Sequence, residues 1–181
     1  MKKLTSGAIC MLLCATALQA LAAVEVEFVK PANFTDISSR FKDAREIQDN
    51  IAYLRAALIQ RGEAVLKPGQ DMKITVTDVD LAGDIQSVVT GGVISGPTGA
   101  YSDAPQLVRV ARPSSPPAMQ FSYVVSENGK PLHEGKADIM DRRFRERENR
   151  YWHDDPLYYE KPMLDLWFSA EFDMTIKVAR R

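Results

Sequence analysis

Residues 44–66 read as one long amphipathic helix, and a helix of that length limits the folds open to the chain. Ile47, Ile51, Leu54, Leu58 and Val65 recur at helical spacing on one face. Asp43 stands at the N-cap position, and Glu46, three residues on, completes a capping-box pattern. Gly62 weakens the last turn, and "KPG" (Lys67 to Gly69) ends the element. A single apolar stripe must be buried on another layer, and the flanking segments supply one. "VEVEFV" (Val24 to Val29) before the helix and "MKITVTDVDL" (Met72 to Leu81) after it are both strand-like.

The second of these strands carries an irregularity. Ile74 and Val76 face one way, Asp78 and Asp80 share their parity, and Val79 and Leu81 take the opposite one. The apolar face therefore switches near Thr77, which needs a β-bulge or the end of regular pairing. Asp84 to Gln106 follows as a long segment containing glycine, serine and proline, and reads as a functional or mobile loop. "QLVRVAR" is a strand that "PSSPP" breaks off, and "MQFSYVVSENGKPLHEGKADI" is a hairpin. A three-residue Glu127-Asn128-Gly129 loop pairs Phe121 with Gly135, Tyr123 with His133 and Gln120 with Lys136. It keeps polar with polar and is preferred to a two-residue Asn128-Gly129 loop. The charged stretch "DRRFRERENRYWHDDP" is expected to be partly helical. A last helix spans roughly Pro156 to Phe172, with Pro162 marking a kink or a late start and Leu164, Trp167, Phe168 and Phe172 as its apolar face. The order β-α-β-β-β-β-α predicts an α+β fold. It is a single domain with a mixed, mostly antiparallel sheet of about four to five strands, packed by one long N-terminal and one C-terminal helix.

The N-terminus has the layout of a secretory signal peptide: Lys2 and Lys3, an apolar run from Ala8 to Leu18, then Ala20-Leu21-Ala22. Small residues at minus-3 and minus-1 favour a cut after Ala22, giving a signal segment over 1–22 and a single domain over 23–181, with the periplasm as destination. No later stretch is long and apolar enough for a transmembrane helix. A lipid-attachment site at Cys10 or Cys14 is disfavoured by the bulky Ile9 and Leu13 before them. Both cysteines leave with the signal, so the exported chain has no disulfide, no thiolate metal site and no cysteine nucleophile. Losing Lys2 and Lys3 makes the formal charge of -1 two units more acidic, a balance that argues against general nucleic-acid binding.

"TDVDLAGDI" (Thr77 to Ile85) is the nearest approach to a metal motif. Asp78, Asp80 and Gly83 fit positions 1, 3 and 6 of a calcium loop and Ile85 suits position 8, with Asp84 close by. Ala82 and Val89 stand where further ligands are needed, and a strand precedes the motif in place of a helix. Pairing of these aspartates with arginine, or solvation, is the preferred reading. His133 reads as a strand histidine packed beside Tyr123, and His153 lies in a charged loop. Two histidines supply no zinc set. There is no G-x-S-x-G elbow, and "TGGVISGPTG" lacks the phosphate-loop pattern. Arg142, Arg143, Arg145, Arg147 and Arg150 form the one local basic cluster, partly neutralised by Asp141, Glu146 and Glu148. It suits either an anionic envelope partner or a solvated face with pairs such as Glu146 and Arg150.

Three stretches, "VEVEFVKPANFTDI", "TVTDVDLAG" and "DDPLYYEKPMLDLWF", together resemble a bacterial family of secreted proteins known as domain of unknown function 3016. The resemblance covers essentially 23–181. It implies an exported, single-domain envelope protein of Gram-negative type, and it implies no activity. The family pattern has a basic residue where this chain has Pro162, and a shorter segment where it has "TGGVISGPTGAYSDAP".

These features favour a non-catalytic binding or accessory module with no cofactor, meeting an envelope protein or an anionic envelope component. The alternatives are a metal- or carboxylate-dependent periplasmic hydrolase using Asp78 and Asp80, and a structural or assembly partner that offers its sheet edge or long loop.

Overall fold

The computed structural model describes residues 23–38, 43–88, 92–93, 101–102 and 106–172. The expected signal segment lies outside them, as does most of the stretch between Val88 and Gln106. Strand β1 (Ala23–Phe28) leads through a short 3-10 turn (Pro31–Asn33) to helix α1 (Ala44–Val65) and then β2 (Gln70–Asp80). Four strands follow, β3 (Asp84–Val88), β4 (Gly92–Val93), β5 (Tyr101–Ser102) and β6 (Gln106–Val110). The hairpin β7 (Ala118–Glu127) and β8 (Lys130–Met140) and helix α2 (Glu160–Glu171) complete the order. The main sheet runs β1-β2-β7-β8, parallel between β1 and β2 and antiparallel elsewhere. The chain is an α+β fold of the expected kind.

Alternation decides which face of the sheet is covered. Val26 of β1, Met72, Ile74, Val76 and Val79 of β2, and Met119, Phe121, Tyr123 and Val125 of β7 are buried. They meet Ile47, Ile51, Leu54 and Leu58 of α1 and Met163, Leu164 and Phe168 of α2 in one cluster. Leu54, Leu58, Leu164 and Phe168 are fully buried, each contributing about 1.5–3 kcal/mol by removal from water. Asp43 caps α1 as expected, accepting from the amides of Arg45 (2.9 Å) and Glu46 (3.5 Å). Gly62 has a second use besides weakening the last turn of α1. A Cβ there would stand 2.9 Å from a methyl of Val24 and 3.3 Å from the Met72 sulfur, so the missing side chain lets α1 lie close on β1 and β2.

The sequence expectations need three corrections. Part of the expected loop from Asp84 is strand: β3 pairs antiparallel with β6, and β4 with β5. Asp84-Ile85-Gln86-Ser87-Val88 has no two-residue alternation, since Ile85 and Val88 are three apart, so the strand had no local signal. The hairpin closes on a two-residue Asn128-Gly129 turn, with both residues left-handed (φ 52° and 73°). A bulge between the Ser126–Pro131 and Val125–His133 pairs then shifts the register, so that Phe121 opposes Ala137 and Tyr123 opposes Gly135. Pro131 has no N–H for the ladder, and Leu132 is left as the extra, exposed residue. The stretch 142–146 forms turns and no helix, and α2 starts late, at Glu160, two residues before Pro162.

Candidate binding cleft

The bulge expected near Thr77 is present, where the β2–β7 register shifts between Val76 and Asp78. It keeps Val76 and Val79 both buried and turns Asp78 and Asp80 to the other side. Asp78 is engaged through both carboxylate oxygens, accepting from the amide and the hydroxyl of Thr35 at 2.7 Å each. Asp84 accepts from the Ser115 hydroxyl at 2.6 Å. Asp36, paired alongside Asp80, holds Arg109 of β6 in a two-pronged contact at 2.8 and 2.9 Å. Burial raises the Asp80 carboxyl above its ordinary value; Asp36 and Asp78 reinforce the effect and Arg109 opposes it. Among the described residues no group of three or more histidine, cysteine, aspartate or glutamate side chains is arranged to hold a metal ion. The arginine beside these aspartates is Arg109, which the sequence reading did not single out.

Arg109 also fixes the turn after β2. It donates to the carbonyls of Leu81 (3.3 Å) and Gly83 (2.8 Å). Gly83 has φ 89°, and a Cβ there would lie 2.5 Å from the Val110 carbonyl oxygen and 2.9 Å from the Ala111 Cα. Only glycine permits both that backbone turn and the close approach to the end of β6. The amide of Ala82, next in the turn, points at Glu160, the first residue of α2, and donates to its carboxylate at 2.8 Å. Glu160 is only 4% exposed. Burial pushes its carboxyl up, against the pull of the backbone N–H groups around it.

These elements enclose a cleft of about 380 Å³. Glu46 and Asn50 of α1, Leu81, Ala82, Arg109 and Ala111 from the β2–β3 turn and the end of β6, and His153, Asp155, Pro156, Tyr158, Tyr159 and Glu160 line it. Asn50 donates to the Ile37 carbonyl at 2.8 Å, and Asp155 accepts from Lys161 at 2.5 Å and from the Leu157 amide at 2.9 Å. The aromatic rings there are grouped. His153 and Tyr158 lie 4.7 Å apart with a 36° tilt, Tyr158 and Tyr159 meet edge to face at 4.8 Å, and Phe144 buttresses Tyr159. Trp152, next in the chain to His153, is 77% exposed.

The arginine cluster is dispersed along the exposed segment before α2. Arg147 holds the buried Asp141 (3.0 and 3.2 Å), Arg143 pairs with Glu146 at 3.1 Å, and Arg150 reaches Asp165 of α2 in place of Glu146. Arg142 and Arg145 are exposed. His133 is correctly neighboured but not packed. Its Nε2 lies 2.8 Å from the Tyr123 hydroxyl and 3.0 Å from Glu171, with half its side chain exposed. Tyr123 also donates to Glu171; burial raises the tyrosine, and this hydrogen bond lowers the glutamate.

Arg61 was missed altogether. It is fully buried and donates to Asp165 (2.8 Å), the Ala57 carbonyl (2.8 Å), the Tyr151 hydroxyl (2.8 Å) and the Lys161 carbonyl (3.2 Å). Its only sequence signal was position, three residues after Leu58 on the inward face of α1.

All three stretches that carry the family resemblance reach this region: Thr35 and Asp36 from the first, Asp78 to Gly83 from the second, Asp155 to Glu160 from the third. A family model described as "protein of unknown function (DUF3016)" matches residues 22–170. No curated protein and no solved structure matches the chain.

Proposed function

We propose a non-catalytic binding function for this chain, which belongs to the DUF3016 family: an exported envelope module that holds a small ligand in the cleft between α1, the β2–β3 turn and the start of α2. The observation that carries the reading is the state of the polar groups around the cleft. Arg109 is locked to Asp36, Asp155 to Lys161 and Glu160 to Ala82. Groups fixed by internal partners form a preorganised wall, which favours binding because little freedom is lost when a ligand arrives. Asp78 is likewise engaged, accepting twice from Thr35, which counts against its use in hydrolysis. Export is supported by the tripartite N-terminus. The family match from residue 22 also suits the expected cut.

Two measurements test this. The full chain is expressed in a Gram-negative host, and the protein recovered from the periplasmic fraction is sequenced from its N-terminus. Ala23 is expected as the first residue, and recovery with Met1 in the cytoplasm would overturn the export reading. Native mass spectrometry of the same material is expected to show a low-mass adduct that is absent from Ala111→Trp, a substitution that fills the cleft beside Arg109. An adduct-free protein, or an adduct retained by Ala111→Trp, would overturn the cleft as the binding site.

A further inference from the structure

We propose that the cleft takes an uncharged sugar, with a pyranose ring stacked against the Tyr158 and His153 side. This rests on the binding reading above and names the ligand class for the same site.

Charge is the first reason. A pocket built for an ion offers it a charge that no internal partner has neutralised. Here the cation Arg109 is matched by Asp36, and the anion Asp155 by Lys161. Glu160 is enclosed and accepts from a backbone amide. An anionic ligand would face the Glu46, Asp155 and Glu160 side chains, with Arg109 already held by Asp36. A cationic one would find Asp155 held by Lys161 and Glu160 by the Ala82 amide. Either would have to compete with an internal partner. An uncharged ligand meets no such cost.

Hydrogen-bonding geometry is the second. Polar groups enter from α1 (Glu46, Asn50), from β6 (Arg109) and from the segment before α2 (Asp155). They come from three separate parts of the chain. That suits hydroxyl groups radiating from a ring, each able to donate and accept. A flat base, with its polar atoms along its edges, fits less well.

The third reason is the paired rings. His153 and Tyr158 lie side by side at 4.7 Å with their planes tilted by 36°, and the exposed Trp152 adjoins them in sequence. Flat aromatic faces suit the C–H face of a sugar. The volume of about 380 Å³ lies toward the lower end of the roughly 300–1,000 Å³ typical of small-molecule sites. It holds one or two sugar rings and excludes a folded partner.

The test is an NMR titration of the purified protein with glucose, N-acetylglucosamine and maltose. Glucosamine at a pH where it is protonated, glucuronate and adenosine serve as charged and planar contrasts. At least one neutral sugar is expected to shift the Ala82 amide and the His153 ring. Tyr158→Ala should weaken that binding about tenfold, while Tyr158→Phe, which keeps the ring, should retain it. Circular dichroism melts of both variants separate lost binding from lost folding. Binding of only a charged probe or adenosine at these resonances would overturn the sugar inference and leave the cleft reading standing. Silence from every neutral sugar would also overturn it, with the cleft reading then decided by the mass-spectrometric adduct. Neutral-sugar binding untouched in folded Tyr158→Ala would remove the stacking site.

Discussion

Gly83 shows how one residue sets the cleft. Its positive φ and its contact with the end of β6 are independent reasons to exclude a side chain. Its carbonyl is also one of the acceptors that hold Arg109. Gly83→Ala is therefore expected to lower stability by about 3 kcal/mol, combining left-handed strain with a backbone clash. The loss should concentrate in β3 and β6, because β6 must retreat. Urea unfolding together with amide exchange checks both parts, and a variant with unchanged stability and unchanged β6 protection would refute the account. The aspartates nearby show why residue type alone misled. Asp78, Asp80 and Asp84 look like a ligand set in sequence, yet each sits in a separate local arrangement. Thr35 takes the first, Ser115 takes the third, and the second lies beside the Asp36–Arg109 pair. Those partners lie 31 to 73 residues from the carboxylates they hold, so no local pattern could announce them.

Between elements, the junction of α1 and α2 is polar at its centre. The guanidinium of Arg61 is spread over Asp165, Tyr151 and two carbonyls, while Asp165 also accepts from Tyr151 (2.9 Å) and Arg150 (2.5 Å). Arg61→Ala leaves the part-buried Asp165 with Arg150 as its cation and removes the donor to Tyr151 and to two carbonyls, and is expected to cost about 3 kcal/mol. Replacing both partners, as Arg61→Met with Asp165→Leu, should recover part of that loss, because the pair is removed together while Arg150 and Tyr151 lose their acceptor. Urea unfolding of the single and double variants measures the difference; a double variant as unstable as Arg61→Ala would show that the network specifies packing by more than charge balance. Elements of this kind were unevenly legible beforehand. The limits of α1 and its Asp43 cap followed from a helical period and a local hydrogen bond, both written in adjacent residues. The face switch at Thr77 was legible for the same reason. The hairpin register was not. Its first-order rule assumed regular pairing, and Pro131 forces a bulge that moves every later pair. Arg61 was hidden by its own chemistry, since an arginine on an apolar face normally reads as a boundary residue whose head reaches water.

Across the whole molecule, the carboxylates pull the pH profile in two directions. Glu160 and Asp80 titrate above their ordinary values, chiefly through burial. For such groups the folded state holds the proton more tightly. The resulting stability is fully present below the ordinary value, 4.5 for Glu160, and is lost as pH rises through the raised value. Glu171 runs the other way, because Tyr123 and His133 hydrogen-bond its charged form. Its contribution is present above 4.5 and is lost as pH falls through its lowered value. The fold should therefore be most stable in mild acid, declining toward neutrality through Glu160 and Asp80 and toward strong acid through Glu171. Urea unfolding at intervals between about pH 3 and pH 8 reads the profile, and one group changes its slope by at most about 1.4 kcal/mol per pH unit. Glu160→Gln should flatten the decline on the neutral side, while its carbonyl still accepts from Ala82. Glu171→Gln should flatten only the acid side. If Glu160→Gln leaves the neutral limb unchanged, the burial at the start of α2 does not govern that titration. The decline would then belong to Asp80 and its aspartate neighbours, which Asp80→Asn isolates.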